Sequence, residues 1–257
     1  MKERKKRAMT SEKASQVKKD GHRDAKEFAK LIGLDDDYQN DPKAKKDVID
    51  KNGDAHSLKS GSGYWQVFLY GKRRFENDAL FQAMNGIGQI MLNCINSIPD
   101  SKDEYQINKQ GFKNEIAKYM IELQEKLSES YRLEAFLRKS IFEGSQVSYL
   151  TIKYQDKFHI FWHNDVINIF LKNFIVANSI GNQKVIFKLK NNCGEIEMRN
   201  GESHHHKEMK FRLHKIPITE LLINNCKDKL VLYNDKVIIY GSAIKKFHKN
   251  KKGSKNI

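Results

Sequence analysis

Apolar residues recur along this chain with two different periods, and the two periods predict its helices and strands. Spacing of three or four positions, which is typical of a helix packed on a core, covers 10–32, 75–97, 109–141, 165–174 and 217–224. Alternation or a short apolar run, typical of strands, covers 147–153, 157–161, 184–190, 194–199, 208–213, 229–233 and 236–240. Residues 64–71 are compatible with either a strand or a helix.

The segment 45–61 predicts a β-hairpin, because two short β-prone runs flank Asn52-Gly53. A three-residue loop, 51–53 with Gly53 left-handed, pairs Asp47 with Ser57. Side chains alternate along a strand, so Lys59 then projects from the same face as both.

A two-residue loop at Asn52-Gly53 shifts the register by one position and scatters these groups. Asp47 then lies on the face of Leu58, and Lys59 joins Asp50. The three-residue loop alone gathers a carboxylate, a hydroxyl and an amine, which is a catalytic combination, so we favour that register.

Composition adds a strong electrostatic signal. The 257 residues carry a formal net charge of +15 with a sequence pI near 9.5. Such a charge favours a polyanion partner, with nucleic acid ahead of an anionic membrane surface and of an unrelated basic protein. Three cysteines without CxxC spacing argue against a zinc site, and no apolar run reaches the length of a membrane span. We expect a cytoplasmic protein with no membrane partner.

The hairpin resembles the signature of the PD-(D/E)XK nuclease superfamily, in its type II restriction endonuclease branch. Asp47 is followed by nine residues and then by Ser57-Leu58-Lys59. The sequence departs from the family pattern at two places, since Lys46 stands where a proline is usual and Ser57 replaces the second carboxylate. Glu27, on the preceding predicted helix, is in a position to supply that carboxylate.

A second motif, Gln66-x-x-x-Tyr70, resembles one that follows the catalytic lysine in RecB-like nucleases. On a helix the two side chains would share a face. The resemblances together imply Mg²⁺ held by Asp47 and Glu27, and Lys59 orienting the attacking water. Ser57 would hold a metal-bound water, with Gln66 and Tyr70 in supporting catalytic roles.

Candidate DNA-binding residues lie in both halves of the chain. Lys72-Arg73-Arg74 follows the predicted site, and either a phosphate clamp or a solvated turn accounts for it. Arg199, Lys210 and Arg212 alternate on predicted strands, where they either read bases or form a solvated sheet face. The triplet His204-His205-His206 is a poor metal site, because consecutive side chains diverge.

These features predict an α/β protein with a restriction-endonuclease-like mixed sheet flanked by helices, and a second, smaller α+β domain. We place the catalytic domain with a helical spine at 1–143 and the DNA-recognition domain at 144–257. The expected function is Mg²⁺-dependent, site-specific cleavage of double-stranded DNA. The resemblance also implies a cognate DNA methyltransferase as genetic partner and permits a homodimer. The alternatives are a RecB-like exonuclease and a non-catalytic DNA-binding protein on a nuclease scaffold.

Overall fold

The computed structural model describes residues 11–61, 63–199 and 206–248 as a mixed α/β structure. Its helices are α1 Ser11–Leu31, α2 Lys72–Asn77, α3 Ala79–Gln82, α4 Ile87–Asn96, α5 Lys102–Ile107, α6 Lys109–Leu127, α7 Ser130–Phe142, α8 His163–Asn173, α9 Lys215–Asn225 and α10 Ser242–His248. Its strands are β1 Val48–Ile49, β2 Ala55–Lys59, β3 Tyr64–Tyr70, β4 Tyr149–Tyr154, β5 Lys157–Trp162, β6 Ile175–Asn178, β7 Lys184–Lys188, β8 Asn192–Met198, β9 Met209–His214, β10 Lys229–Leu232 and β11 Val237–Tyr240. None of the described helices is long and apolar enough to span a bilayer.

The strands form two sheets. The first is mixed and six-stranded, in the order β1-β2-β4-β5-β11-β10. Its β2–β4 and β5–β11 pairs are parallel, and its other pairs are antiparallel. The second is antiparallel and five-stranded, in the order β3-β9-β8-β7-β6. The predicted α/β class and the mixed sheet are therefore confirmed.

Apolar side chains cover both faces of the six-stranded sheet. On one face, α1 and α10 pack against residues such as Val48, Leu58 and Ile160, with Phe28 of α1 fully buried among them. The other face belongs to a larger core that also receives the inner face of the five-stranded sheet and helices α4 and α6–α9. The parallel strands β2 and β4 are joined by a crossover that contains helices, and such crossover helices cover the faces of a sheet.

The predicted boundary at residue 143 does not separate two folding units. The six-stranded sheet joins β1 and β2 to four strands from beyond that residue, and β3 pairs with β9 in the other sheet. The predicted helical spine is also interrupted, because α6 ends at Leu127 and α7 begins at Ser130. Sheet pairing across the whole chain overrides the change in composition on which the boundary was based.

The hairpin adopts the three-residue loop. Val48 pairs with His56 and Ile49 with Ala55, a register that sets Asp47 opposite Ser57. Gly53 is left-handed, with φ +79°. The Asp50 carboxylate accepts hydrogen bonds from the backbone N–H groups of Asn52 and Asp54 at 2.8 and 3.0 Å. These bonds give the N–H groups of the loop a partner within the hairpin itself. The favoured register is thus confirmed, and its cause is the left-handed glycine together with the Asp50 side chain.

Two glycine substitutions test this loop, and they should change the free energy of unfolding in opposite directions. No atom lies within 4 Å of an added Cβ at either Gly53 or Gly21, so only backbone preference differs. Gly53→Ala should lower the free energy of unfolding by about 1 kcal/mol because of its positive φ. Gly21→Ala, inside α1, should raise it by roughly 0.5–1 kcal/mol. Urea unfolding measures both, and equal signs would contradict the loop assignment.

Candidate active site

Asp47, Ser57 and Lys59 form one hydrogen-bonded group on the β1–β2 hairpin. The Lys59 Nζ donates to Ser57 Oγ at 2.9 Å and lies 3.9 Å from Asp47 Oδ2. Asp47 Oδ2 also accepts the backbone N–H of Leu58 at 2.7 Å. Ser57 is fully buried, whereas the Asp47 and Lys59 side chains are 30% and 20% exposed. The hairpin therefore presents an anchored carboxylate and an oriented ammonium group at its surface.

Strand alternation places this group on the sheet face away from α1. Val48 and Leu58 pack into the core that α1 covers, and Asp47 and Ser57 are their chain neighbours, so these point the other way. Lys59 lines a small cavity on that second face, together with residues of the larger core. A carboxylate and an ammonium group here are able to bind a cation and an anion side by side.

Glu27 does not join this group. It extends from α1 on the opposite face, where its carboxylate lies 2.6 Å from the Lys153 ammonium. Asp24, one turn earlier, pairs with the same lysine at 2.9 Å. The prediction that Glu27 supplies the second carboxylate is wrong in this structure, because the sheet itself separates α1 from Asp47.

Gln66 and Tyr70 lie on strand β3 rather than on a helix. The register of β3 against β9 shifts between Gln66 and Phe68, so this strand does not alternate regularly. Gln66 is exposed opposite Arg212, whereas the Tyr70 hydroxyl donates to Glu143 Oε1 at 3.3 Å. The predicted shared helical face does not form, because this segment is recruited into the five-stranded sheet.

A buried charge cluster beside the hairpin was missed in the sequence. Its centre is Glu143, whose Oε1 lies 3.3 Å from the Lys45 Nζ. The other oxygen, Oε2, lies 2.5 Å from the Lys139 Nζ and 3.2 Å from the Arg74 Nη2. Lys139 and Arg74 also bind Asp78 at 2.8 and 3.3 Å. The cluster joins the segment before β1 to α2, α3 and α7.

Burial and charge act on this cluster in opposite directions. Burial lowers the pKa of Lys45 to about 8, and the nearby Lys59 and Lys139 add to that effect while Glu143 opposes it. Burial alone would raise the pKa of Glu143. The Lys45 and Lys139 ammonium groups outweigh it and hold that pKa below its usual value. Both members of the ion pair are therefore charged near neutral pH.

Two features of the sequence are consistent with parts of this cluster. Lys45 precedes Asp47 by two positions, the spacing at which strand residues share a face. Glu143-Gly144 ends the predicted helix 109–141, where a left-handed residue is common. Nothing local indicated that these two segments would meet, because their contact depends on the crossover from β2 to β4.

The lysine–arginine run after β3 divides between two environments. Lys72 and Arg73 are exposed on α2, and Lys72 forms a surface pair with Glu76 at 3.6 Å. Arg74 turns inward to Asp78 and Glu143, so its guanidinium is already engaged. A phosphate-binding role therefore stays a prediction for Lys72 and Arg73, and for Arg74 it would require exchange of buried partners.

The charged face of the five-stranded sheet is internally paired. Lys210 lies 2.5 Å from Glu197, and the Arg212 Nε donates to Glu195 at 2.5 Å. Arg199 approaches Glu208 at 3.5 Å. Cross-strand ion pairs of this kind stabilise a charged sheet face on their own. Hydrogen bonds from these arginines and lysines to DNA bases would have to replace them.

Asp47 is the carboxylate at which the Mg²⁺ ion implied by the resemblance would bind. No cluster of three or more histidine, cysteine or carboxylate side chains that could hold a metal occurs within 11–61, 63–199 and 206–248. Of the predicted histidine triplet, His204 and His205 lie outside the described residues, and His206 contacts the Pro99 carbonyl at 3.0 Å. Mg²⁺ in phosphoryl-transfer sites commonly takes only one or two carboxylates and completes its shell with water and substrate phosphate. Asp47 meets that minimum.

Replacing Glu143 by glutamine should destabilise the fold by about 3 kcal/mol near neutral pH, because Lys45 and Lys139 would lose a buried counter-charge. Glu115→Gln, in an exposed pair with Lys118, is the matched control and should change stability by less than about 0.5 kcal/mol. Since the pKa of Glu143 is lowered in the fold, its stabilising effect is complete above about pH 4.3 and is lost on further acidification. Urea unfolding at several pH values should show the difference between wild type and Glu143→Gln shrinking in acid, and a constant gap would contradict the charge assignment.

Comparison with known proteins adds no family assignment. No protein-family model matches the chain, and no curated protein is significantly similar to it. Function is therefore inferred from the residues of the hairpin, their geometry and the charge of the chain.

Proposed function

We propose that this chain is a Mg²⁺-dependent endonuclease of the type II restriction kind, which hydrolyses phosphodiester bonds in double-stranded DNA. The observation that carries the proposal is the hairpin register, which sets Asp47 opposite Ser57 and brings Lys59 within reach of both. The mixed sheet with helices on both faces supports a restriction-endonuclease-like fold. The net charge of +15 supports a polyanionic substrate.

In this proposal each residue of the hairpin has a separate task. Asp47 would hold the metal ion, and when bound the ion would lower the pKa of a water molecule and neutralise charge on the phosphate. Lys59 orients the attacking water and stabilises negative charge that develops on the phosphate. Ser57 is fully buried, so it would not hold the metal-bound water that the resemblance implied, and through its hydrogen bond it instead fixes the direction of the Lys59 side chain. The Leu58 N–H holds the Asp47 carboxylate in place.

Substrate contacts extend the proposal beyond the hairpin. Exposed Lys72 and Arg73 are the nearest candidates for phosphate contacts along the duplex, and the charged face with Arg199, Lys210 and Arg212 is a second surface for DNA. A restriction enzyme requires a cognate DNA methyltransferase to protect host DNA. Symmetric recognition sites would favour a homodimer with two catalytic centres.

Incubation with plasmid DNA and Mg²⁺ tests the proposed class directly. Discrete fragments are expected from a site-specific endonuclease, and chelation of the metal should abolish them. Progressive degradation would indicate the exonuclease alternative. Retarded but intact DNA would indicate a DNA-binding protein without activity and would contradict the proposal.

Asp47→Ala and Lys59→Ala should each reduce the single-turnover cleavage rate by at least about 100-fold, since each removes a group that acts on the reacting phosphate. Binding of the same DNA, measured by gel retardation, should be retained. The matched controls are Asp103→Ala and Lys118→Ala, at exposed positions on α5 and α6, and both should cleave like wild type. Wild-type rates in either hairpin variant would reject the site assignment.

A further inference from the structure

Lys45 and Glu143 share an unusual backbone conformation. Both have positive φ angles, +58° for Lys45 and +47° for Glu143, where glycine would be free of strain. They also form an ion pair with each other at 3.3 Å, and both side chains are largely buried. Glu143 ends α7, where left-handed backbone is common, whereas Lys45 lies in the turn before β1, so its conformation is not explained by a helix end.

The Lys45 side chain reaches the same small cavity as Lys59. This cavity lies between the two sheets, and Leu150, Trp65 and Leu213 form part of its apolar wall. The Trp65 indole N–H is buried and has no acceptor among the residues that the structure describes. Lys45, Lys59 and Trp65 thus line a cavity of about 10 Å³, which has room for one oxygen atom, and the two lysine charges favour an anionic acceptor there.

The hydrogen-bonding capacity of Lys45 fits a third partner. Its ammonium group has three protons. One is directed to Glu143, and another is donated to the Ser140 carbonyl at the end of α7. These two contacts fix the side chain and leave one donor for a ligand.

We propose that Lys45 is a second phosphate-binding lysine of this site, held by Glu143 so that its ammonium group contacts a non-bridging oxygen of the same phosphodiester that Lys59 binds. The inference rests on the proposed function for its substrate class and adds a residue to it. Lys45 and Lys59 would then act together beside Ser57, which stands where the family pattern has a second carboxylate. An anion between the two lysines relieves their mutual repulsion.

Lys45→Gly separates function from folding. Glycine adopts φ +58° without strain and Glu143 keeps Lys139 and Arg74, which offsets part of the loss of the buried ion pair, so the melting temperature should fall less than in Glu143→Gln. Cleavage should fall about 100-fold, the effect of removing one preorganised donor to a reacting group. Gln155→Gly, at an exposed turn residue with φ +48°, is the matched control and should keep full activity.

Acetylation of lysines, read by mass spectrometry, tests the same inference without cleavage. Fragmented double-stranded DNA, added without divalent metal, should protect Lys45 and Lys59 but not the exposed Lys118. If the wild type never cleaves DNA and Lys45 is still protected, the endonuclease proposal fails and the phosphate site stands. Unimpaired cleavage by Lys45→Gly would overturn the inference, and so would unchanged acetylation of Lys45 with DNA. A fall in the melting temperature of Lys45→Gly as large as that of Glu143→Gln would also overturn it, by showing a structural role.

Discussion

The closure of one short loop determines what the β1–β2 hairpin can do. Gly53 takes a backbone conformation that other residues avoid, and Asp50 satisfies the two N–H groups that the loop would leave without partners. A shift of one residue would turn Asp47 into the core that α1 covers and bring apolar side chains to the other face. The proposed chemistry therefore depends on a carboxylate that takes no part in it.

The cluster around Glu143 connects this hairpin to the rest of the structure. Lys45 comes from the segment before β1, Arg74 from α2, Asp78 from the start of α3 and Lys139 from α7. Buried ion pairs contribute little net stability compared with apolar packing, but they tolerate few alternative arrangements. The cluster thus fixes the position of these elements relative to the hairpin more than it strengthens the fold.

Local patterns in the sequence were sufficient for the hairpin and insufficient for its surroundings. Turn chemistry and strand alternation predicted that Asp47, Ser57 and Lys59 share a face, because all three lie within one pair of adjacent strands. Glu27 was misplaced, since nothing in its helix shows which side of a sheet that helix covers. Gln66 and Tyr70 were given a helical spacing because the partner of their strand, β9, is remote in sequence. Glu143 was missed for the same reason, as it meets Lys45 only through the long crossover.

The interleaving of the two sheets has a consequence during synthesis of the chain. Among the described strands β3 pairs only with β9, which begins at Met209, and until that strand has been made both edges of β3 are unpaired. The walls of the cavity beside Lys59 include Trp65 from β3 and Leu213 from β9, so they close only when most of the chain is available. Long-range pairing of this kind slows folding. A nascent chain therefore carries the β1–β2 hairpin early, whereas the cavity beside it is enclosed only after β9 has been made.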